Sequence, residues 1–331
     1  MTDLRLGQSF ALVALNAQRS AEMTMVKKAA LRCMAAAVIL EVYLDGGLTP
    51  VKGQFVLNQD ALKPSSKSAP YREAVLTSMV SQHRERSGDL KWWLKRASLL
   101  SGRKLKNFER AVSDSLKEKG LLEEIPHLLA CDLYFDSAGV PVKEYRSLMT
   151  EYTRITEYIR AEILEDGPVS EETICMLWLL RESGCMHDLF SRNELDQVSA
   201  KMYELFSSNQ LAKALLPIRI RHGFEMAAKQ LLHMKTRAIK TPVGVGLNFV
   251  YPILERSQSV FIDTETMFPN SAERLRDVKR RLESKGHAIS VLREGQVPLL
   301  KIDNITYEAV PHAIYGRVPI HGVRLLPKRP V

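Results

Sequence analysis

The stretch Met25–Leu48, MVKKAALRCMAAAVILEVYLDGGL, decides the fold. From Ala29 to Leu44 it holds no Gly or Pro, and its only charges are Arg32 and Glu41. A helix that is apolar almost all round has to be buried. The apolar run between those charges, Cys33 to Leu40, is eight residues, far short of the ~20 needed to cross a bilayer. Asp45-Gly46-Gly47 then stops the helix within a turn. The stretch is expected to be the central helix of a helical domain, with Lys27, Lys28 and Arg32 left at its N-terminal end.

Outward from it, Leu4 to Asn16 repeats its apolar residues at helical spacing and is expected to be a short helix. LTPVKGQFVLN, with two apolar runs around Lys52-Gly53, predicts a small hairpin, and KPSSKS at 63–68 a surface loop. Amphipathic helices are expected over 69–85 and 89–100, the second carrying Trp92 and Trp93. Adjacent residues on a helix point about 100° apart, so one indole belongs to the core and the other to an interface. Another helix runs from Lys104 to Lys119, closed by Gly120. A second hairpin follows, turning around Asp136 to Gly139, and then a long helix from Lys143 to Glu165. Ser170 is the expected N-cap of the nearly all-apolar ICMLWLLRESG, and Ser191-Arg192-Asn193-Glu194 opens an amphipathic helix.

The 331 residues suit two domains, and 45% hydrophobic with 26% charged residues is globular composition. Cys33, Cys131, Cys175 and Cys185 lie in apolar segments with no C-x-x-C pair, so reduced thiols are expected rather than zinc or disulfides. MTDLRLGQSF has no basic region followed by an apolar one, so no signal peptide is expected, and no segment reads as transmembrane. Lys+Arg 47 against Asp+Glu 38 gives a net charge of +9, which favours an anionic partner. Much of it is local: Ser207 to Lys240 carries seven basic residues and one acidic. That stretch is either a solvated basic face or a phosphate-binding helix.

Several segments, in order, resemble the family of Golgi phosphoprotein 3, the GPP34 domain. They are SFALVALN with LRCMAAAVILEVYLDGGL, then WWLKRASLLSG with ERAVSDSLKEKGLLEE, then YIRAEILEDGPVSEETICMLWLLRESGCMHDLF, together covering about residues 4 to 206. The resemblance implies a mainly α fold, with helices around one buried helix and β-hairpins at the edge. It also implies a peripheral membrane protein that binds phosphatidylinositol 4-phosphate through a basic surface pocket and pairs through the hairpin after EKG. Carried over by position, the family's pocket Arg in the central helix corresponds to Arg32. Counting back from Gly120, the first Arg of the following basic pair falls on Lys106, and the second on Glu109 with Arg110 beside it. The pocket Trp falls near Val26 to Lys28, where there is no aromatic. Lys supplies a point charge rather than a guanidinium fork, so a looser preference for anionic headgroups is expected.

The expected lipid-binding set is therefore Lys27, Lys28, Arg32, Lys104, Lys106 and Arg110. The hairpin residues Ile125, Leu128 and Leu129 are either an exposed apolar tip for a bilayer or a second subunit, or edge packing. The expected organisation is a GPP34-like helical domain over 1–240 and a small α+β domain over 241–331, with TPVGVGLN as linker. In the second domain, VFIDTET ends a strand with Asp263 and Glu265, the pattern of a two-metal nuclease. The acidic and histidine spacing that should follow is absent, and two solvated acids at a strand end account for it. No G-x-S-x-G or P-loop occurs, and no metal or cofactor is expected. The sequence thus predicts a non-enzymatic, cytoplasmic, peripherally membrane-associated adaptor or scaffold. The alternative classes are a nucleic-acid binder through 207–240 and a metal-dependent nuclease through Asp263 and Glu265.

Overall fold

The structure, a computed structural model, describes residues 4–58, 70–80, 87–132, 142–220, 240–241, 244–245, 259–264, 270–315 and 319–328. Helix α1 (Leu6–Leu15) is buried on every side and packs along α2 (Met25–Leu44), the central helix. Thr24 caps α2 by accepting the Lys27 N–H at 3.2 Å. At the other end Gly46 takes φ +71° and Gly47 N–H donates to Val42 O at 2.8 Å, which uses an otherwise orphaned carbonyl.

Glu41 is the one acid inside this apolar helix, and its partners explain its tolerance. Its carboxylate accepts from Gly7 N–H at 2.9 Å and Tyr71 Oη at 3.1 Å, and faces Arg72 at 3.4 Å. A Cβ at Gly7 would stand 2.9 Å from that carboxylate, so the glycine is what lets α1 come so close.

Strands β1 (Leu48–Val51) and β2 (Gln54–Leu57) form the expected hairpin, extended by β3 (Ser87–Gly88). Helix α3 (Pro70–Val80) precedes β3, and the expected loop at 63–68 lies outside the described residues. Helix α4 (Leu90–Ser98) buries Trp93, whose Nε1 donates to Phe55 O at 3.1 Å, and leaves Trp92 half-buried under Arg96. Helix α5 (Gly102–Glu118) ends at Gly120, φ +67°.

Strands β4 (Leu122–Pro126) and β5 (Lys143–Ser147) pair antiparallel, with a short 3-10 turn at Leu128–Cys131 after β4. Here the sequence expectation is corrected: Lys143 to Ser147 is strand, and α6 begins only at Met149 (Met149–Leu164). Both edges of the segment are claimed by sheet bonds, from β4 on one side and from residues 17–20 on the other.

Helix α7 (Glu171–Ser183) is capped by Ser170 as expected and ends at Gly184 in the left-handed region. Its buried Arg181 donates to Leu216 O and Ile218 O, and Glu182 accepts the Ile220 N–H, so this helix holds the chain after residue 215. Helices α8 (Met186–Leu189), α9 (Arg192–Ser208) and α10 (Gln210–Leu215) complete the helical part, α9 with a full capping box between Ser191 and Glu194. These elements share one apolar core.

After the short pair β6 (Lys240–Thr241) and β7 (Gly244–Val245), the C-terminal region is β-rich. Strands β8 (Val260–Asp263), β9 (Ile289–Arg293), β10 (Leu299–Ile302), β11 (Ile305–Ile314) and β12 (Ile320–Pro327) form an antiparallel sheet in the order β8-β12-β11-β10-β9. Helix α11 (Ser271–Ser284) covers it through Val278 and Leu282. Asp303 and Asn304 make the two-residue turn between β10 and β11, both with positive φ, as such a tight hairpin requires.

Candidate functional site

Helix α5 sets the geometry. Its apolar positions Leu105, Phe108, Val112 and Leu116 turn inward, which leaves Arg103, Lys106 and Arg110 exposed on the opposite face. Three and four residues apart, these three stack on one side of the helix. None has an ion-pair partner among the described residues. At the start of α5, Leu99 is 70% exposed, and Lys91 and Lys95 on α4 are exposed as well. The α4–α5 corner is thus a bare leucine among cations that have no carboxylate partner among the described residues. Lys106 and Arg110 belong to the expected set; Arg103, Lys91, Lys95 and Leu99 do not. The Arg103, Lys106, Arg110 spacing is itself a helical stripe and is visible in the sequence.

Lys27 is a correction. Its side chain is 0% exposed, with Nζ 2.7 Å from Glu109 Oε1 and donating to Arg19 O at 2.8 Å. Tyr145 Oη donates to the same Glu109 oxygen at 3.1 Å, and burial, reinforced by Glu109, raises the pKa of that phenol. Lys27 is therefore a structural cation inside the fold and is not available to a headgroup. Lys27 and Glu109 stand where the resemblance places the Trp and the second Arg of a phosphate pocket. In this chain those two places neutralise each other.

The remaining expected cations separate. Lys28 and Arg32, four residues apart on α2, lie on a face roughly 100° around the helix from Lys27. Both are half-buried, and burial lowers the Arg32 guanidinium from its usual value. Lys104 donates to Ser78 O at 3.0 Å, a cation placed at the C-terminal turn of α3. Of the six, only Lys106 and Arg110 share an exposed face.

The hairpin residues are packed, and against an unexpected neighbour. Leu128 is 6% exposed and belongs to the apolar core of the C-terminal region; Leu129 packs against that core, and Ile125 is buried. Asp132 accepts the Phe261 N–H at 2.7 Å. The exposed-tip reading of Ile125, Leu128 and Leu129 is thereby corrected: the chain's own C-terminal sheet covers Leu128 and Leu129. Residues 133–141 lie outside the described residues.

The docking is specific. Arg146 donates to Asp303 Oδ1 at 2.9 Å and to Gly286 O at 2.7 Å. Asn304 donates to Ser147 O and to Asn16 Oδ1, and Asn16 donates to Asp303 O. The β10–β11 turn is thus plugged between the end of α1 and β5.

Asp263 faces Arg281 at 3.1 Å, and Asp277 faces Arg280 and Arg281. A carboxylate already neutralised by a guanidinium is a poor half of a two-metal centre. Glu265 lies outside the described residues, as does most of the basic 207–240 stretch, including Arg221, Lys229, Lys235 and Arg237. No helix among the described residues is long and apolar enough to cross a membrane.

A search of curated proteins finds no match for this chain. The family model described as Golgi phosphoprotein 3 (GPP34) matches residues 6–218, the whole span from α1 to the segment that Arg181 and Trp178 hold after α10. The C-terminal β-rich region lies outside that match. A buried central helix ringed by helices, edge hairpins and a match over most of the chain lead to one assignment: the protein belongs to the GPP34 family.

Proposed function

We propose that this chain is a peripheral membrane protein that adsorbs to anionic phospholipid surfaces and serves there as an adaptor or scaffold. The observation that carries this is the exposed Arg103, Lys106 and Arg110 stripe of α5, beside the bare Leu99 and without carboxylate partners among the described residues. Each basic residue near an anionic surface contributes about 1 kcal/mol, and Leu99 adds apolar contact with the interface. The ion pair of Lys27 with Glu109 argues for a surface preference set by charge rather than a cradle for one phosphate monoester.

Vesicle sedimentation tests this. Binding to phosphatidylglycerol vesicles is expected, with phosphatidylinositol 4-phosphate vesicles of matched net charge binding alike, and both weakening as salt rises. Lys106→Glu with Arg110→Glu should weaken binding by at least about 2 kcal/mol, roughly 30-fold. Unchanged binding in the double variant would remove the α5 stripe from the mechanism. No vesicle binding, together with a salt-steep mobility shift of duplex or single-stranded nucleic acid, would move the function to the basic 207–240 stretch.

A further inference from the structure

Where the C-terminal sheet meets the β4–β5 hairpin, three buried side chains from distant parts of the sequence converge. They are Glu144 on β5, His287 just after α11, and Asp303 in the β10–β11 turn, and one donor atom of each lies within 4.8 Å of the other two. Their hydrogen bonds sort their roles. Asp303 is fully engaged: Oδ1 accepts from Arg146 and from Ala288 N–H, both at 2.9 Å, and Oδ2 is 2.6 Å from His287 Nδ1. That short contact to a carboxylate puts the ring proton of His287 on Nδ1 and leaves Nε2 with a lone pair.

Nε2 of His287 is buried with no hydrogen-bond partner, on a side chain that is 0% exposed. An unmatched buried polar atom costs about 1–3 kcal/mol, so a fold that keeps one beside a carboxylate invites a hydrogen-bond donor or a cation for the lone pair. Glu144 Oε2 lies 3.4 Å from His127 Nε2, which also accepts from Arg19 Nε–H at 3.4 Å, while Leu129 N–H donates to His127 Nδ1 at 3.1 Å. A cavity of about 40 Å³ borders Glu144 and His127, with Arg19 and Tyr307 also on its wall. That is room for ordered water.

We propose that His287 Nε2 and the Glu144 carboxylate bind a divalent transition-metal cation of the zinc class, with Asp303 as the carboxylate that orients the imidazole. Imidazole with carboxylate suits such ions, and a ligating histidine whose other nitrogen donates to a carboxylate is a recurrent arrangement around them. Water from the adjoining cavity fills the open positions. Ligands at 2.0–2.1 Å from one ion stand about 3.4 Å apart in a tetrahedron, so loading draws the donor atoms toward one another. Because Glu144 belongs to the GPP34 part and His287 to the C-terminal region, the cation clamps one onto the other.

The test uses the full-length, metal-stripped protein titrated with Co²⁺, followed by visible absorption and by displacement with Zn²⁺. One equivalent is expected to bind and to raise the melting temperature. Glu144→Gln keeps the side-chain shape and should weaken binding at least about tenfold and abolish the melting shift; Asp303→Asn, which leaves both ligands in place, should weaken it by about 10–100-fold. An exposed control, Glu157→Gln, should bind as the native protein does. No stoichiometric Co²⁺ absorption by the native chain, or undiminished uptake by Glu144→Gln with a native circular dichroism spectrum, overturns the proposal.

Discussion

Glu109→Ala is the sharpest probe of how the helical core is built. It leaves the fully buried Lys27 ammonium with the Arg19 carbonyl as its remaining hydrogen-bond acceptor, and it takes the carboxylate acceptor from Tyr145 Oη as well. Removing one member of a buried ion pair costs about 3–5 kcal/mol, because the other charge stays desolvated. At roughly 2–4 °C per kcal/mol for a domain of this size, the melting temperature should fall by roughly 6–20 °C. Lys27→Met should cost a similar amount for the mirror-image reason. The double variant Lys27→Met with Glu109→Leu removes both charges into packed apolar volume and should recover most of the loss, short of about 1 kcal/mol for the Tyr145 hydroxyl. Urea unfolding followed by circular dichroism and tryptophan fluorescence measures all three. If each single variant costs under about 1 kcal/mol, or the double is as unstable as both singles together, the pair is not the buried unit described. The folded double variant should also bind anionic vesicles as the native protein does, because neither group reaches the surface.

Burial holds the Glu41 carboxyl above its ordinary 4.5, although Gly7 N–H, Arg72, Tyr71 and Arg5 pull the other way. The native state therefore keeps a proton the unfolded chain has lost, a contribution complete below about pH 4.5 and lost as pH rises through the raised value. Glu41→Gln cannot titrate, so native stability relative to this variant should fall from pH 4.5 toward neutral; a flat or rising difference contradicts the assignment. Gly322→Ala would put a Cβ 2.3 Å from Ile262 O and 2.7 Å from the Phe261 ring, so β8 must move off β12. A cost of at least about 1–3 kcal/mol is expected, read as lost hydrogen-exchange protection at Val260 to Asp263. Leu128→Ala should remove about 2–5 kcal/mol from the C-terminal core. Faster proteolysis of residues 260–328, with the helical part intact, is the measurement.

What was legible in the sequence is what rests on local chemistry. An uninterrupted apolar helix with a Gly-Gly stop, a serine cap at Ser170, and Gly120 with positive φ each carry their own physical reason within a few residues. Lys143 to Ser147 went to the wrong class because Tyr145, Leu148, Tyr152, Ile155 and Ile159 continue a helical period. The bonds that make it a strand come from Leu122 to Pro126 and from residues 17–20. The site shows the same divide. Lys106 and Arg110 are exposed because their helix is amphipathic, and periodicity shows that. Lys27 is consumed by a carboxylate on another helix, and nothing near it in sequence marks it as the buried lysine of the pair Lys27 and Lys28. Glu144, His287 and Asp303 have no motif spacing, since a hairpin and a distant turn bring them together.

Leu128 belongs by chain order to one half of the protein and by packing to the other. A fragment that stops after α10 would strip the cover from Leu128 and Leu129 and take the Phe261 N–H from Asp132 and the Asp303 carboxylate from Arg146. Such a truncated piece should clump, or shield the bared strip with a second copy of itself. Any pairing observed with it would then be a product of the scissors and not a habit of the whole molecule.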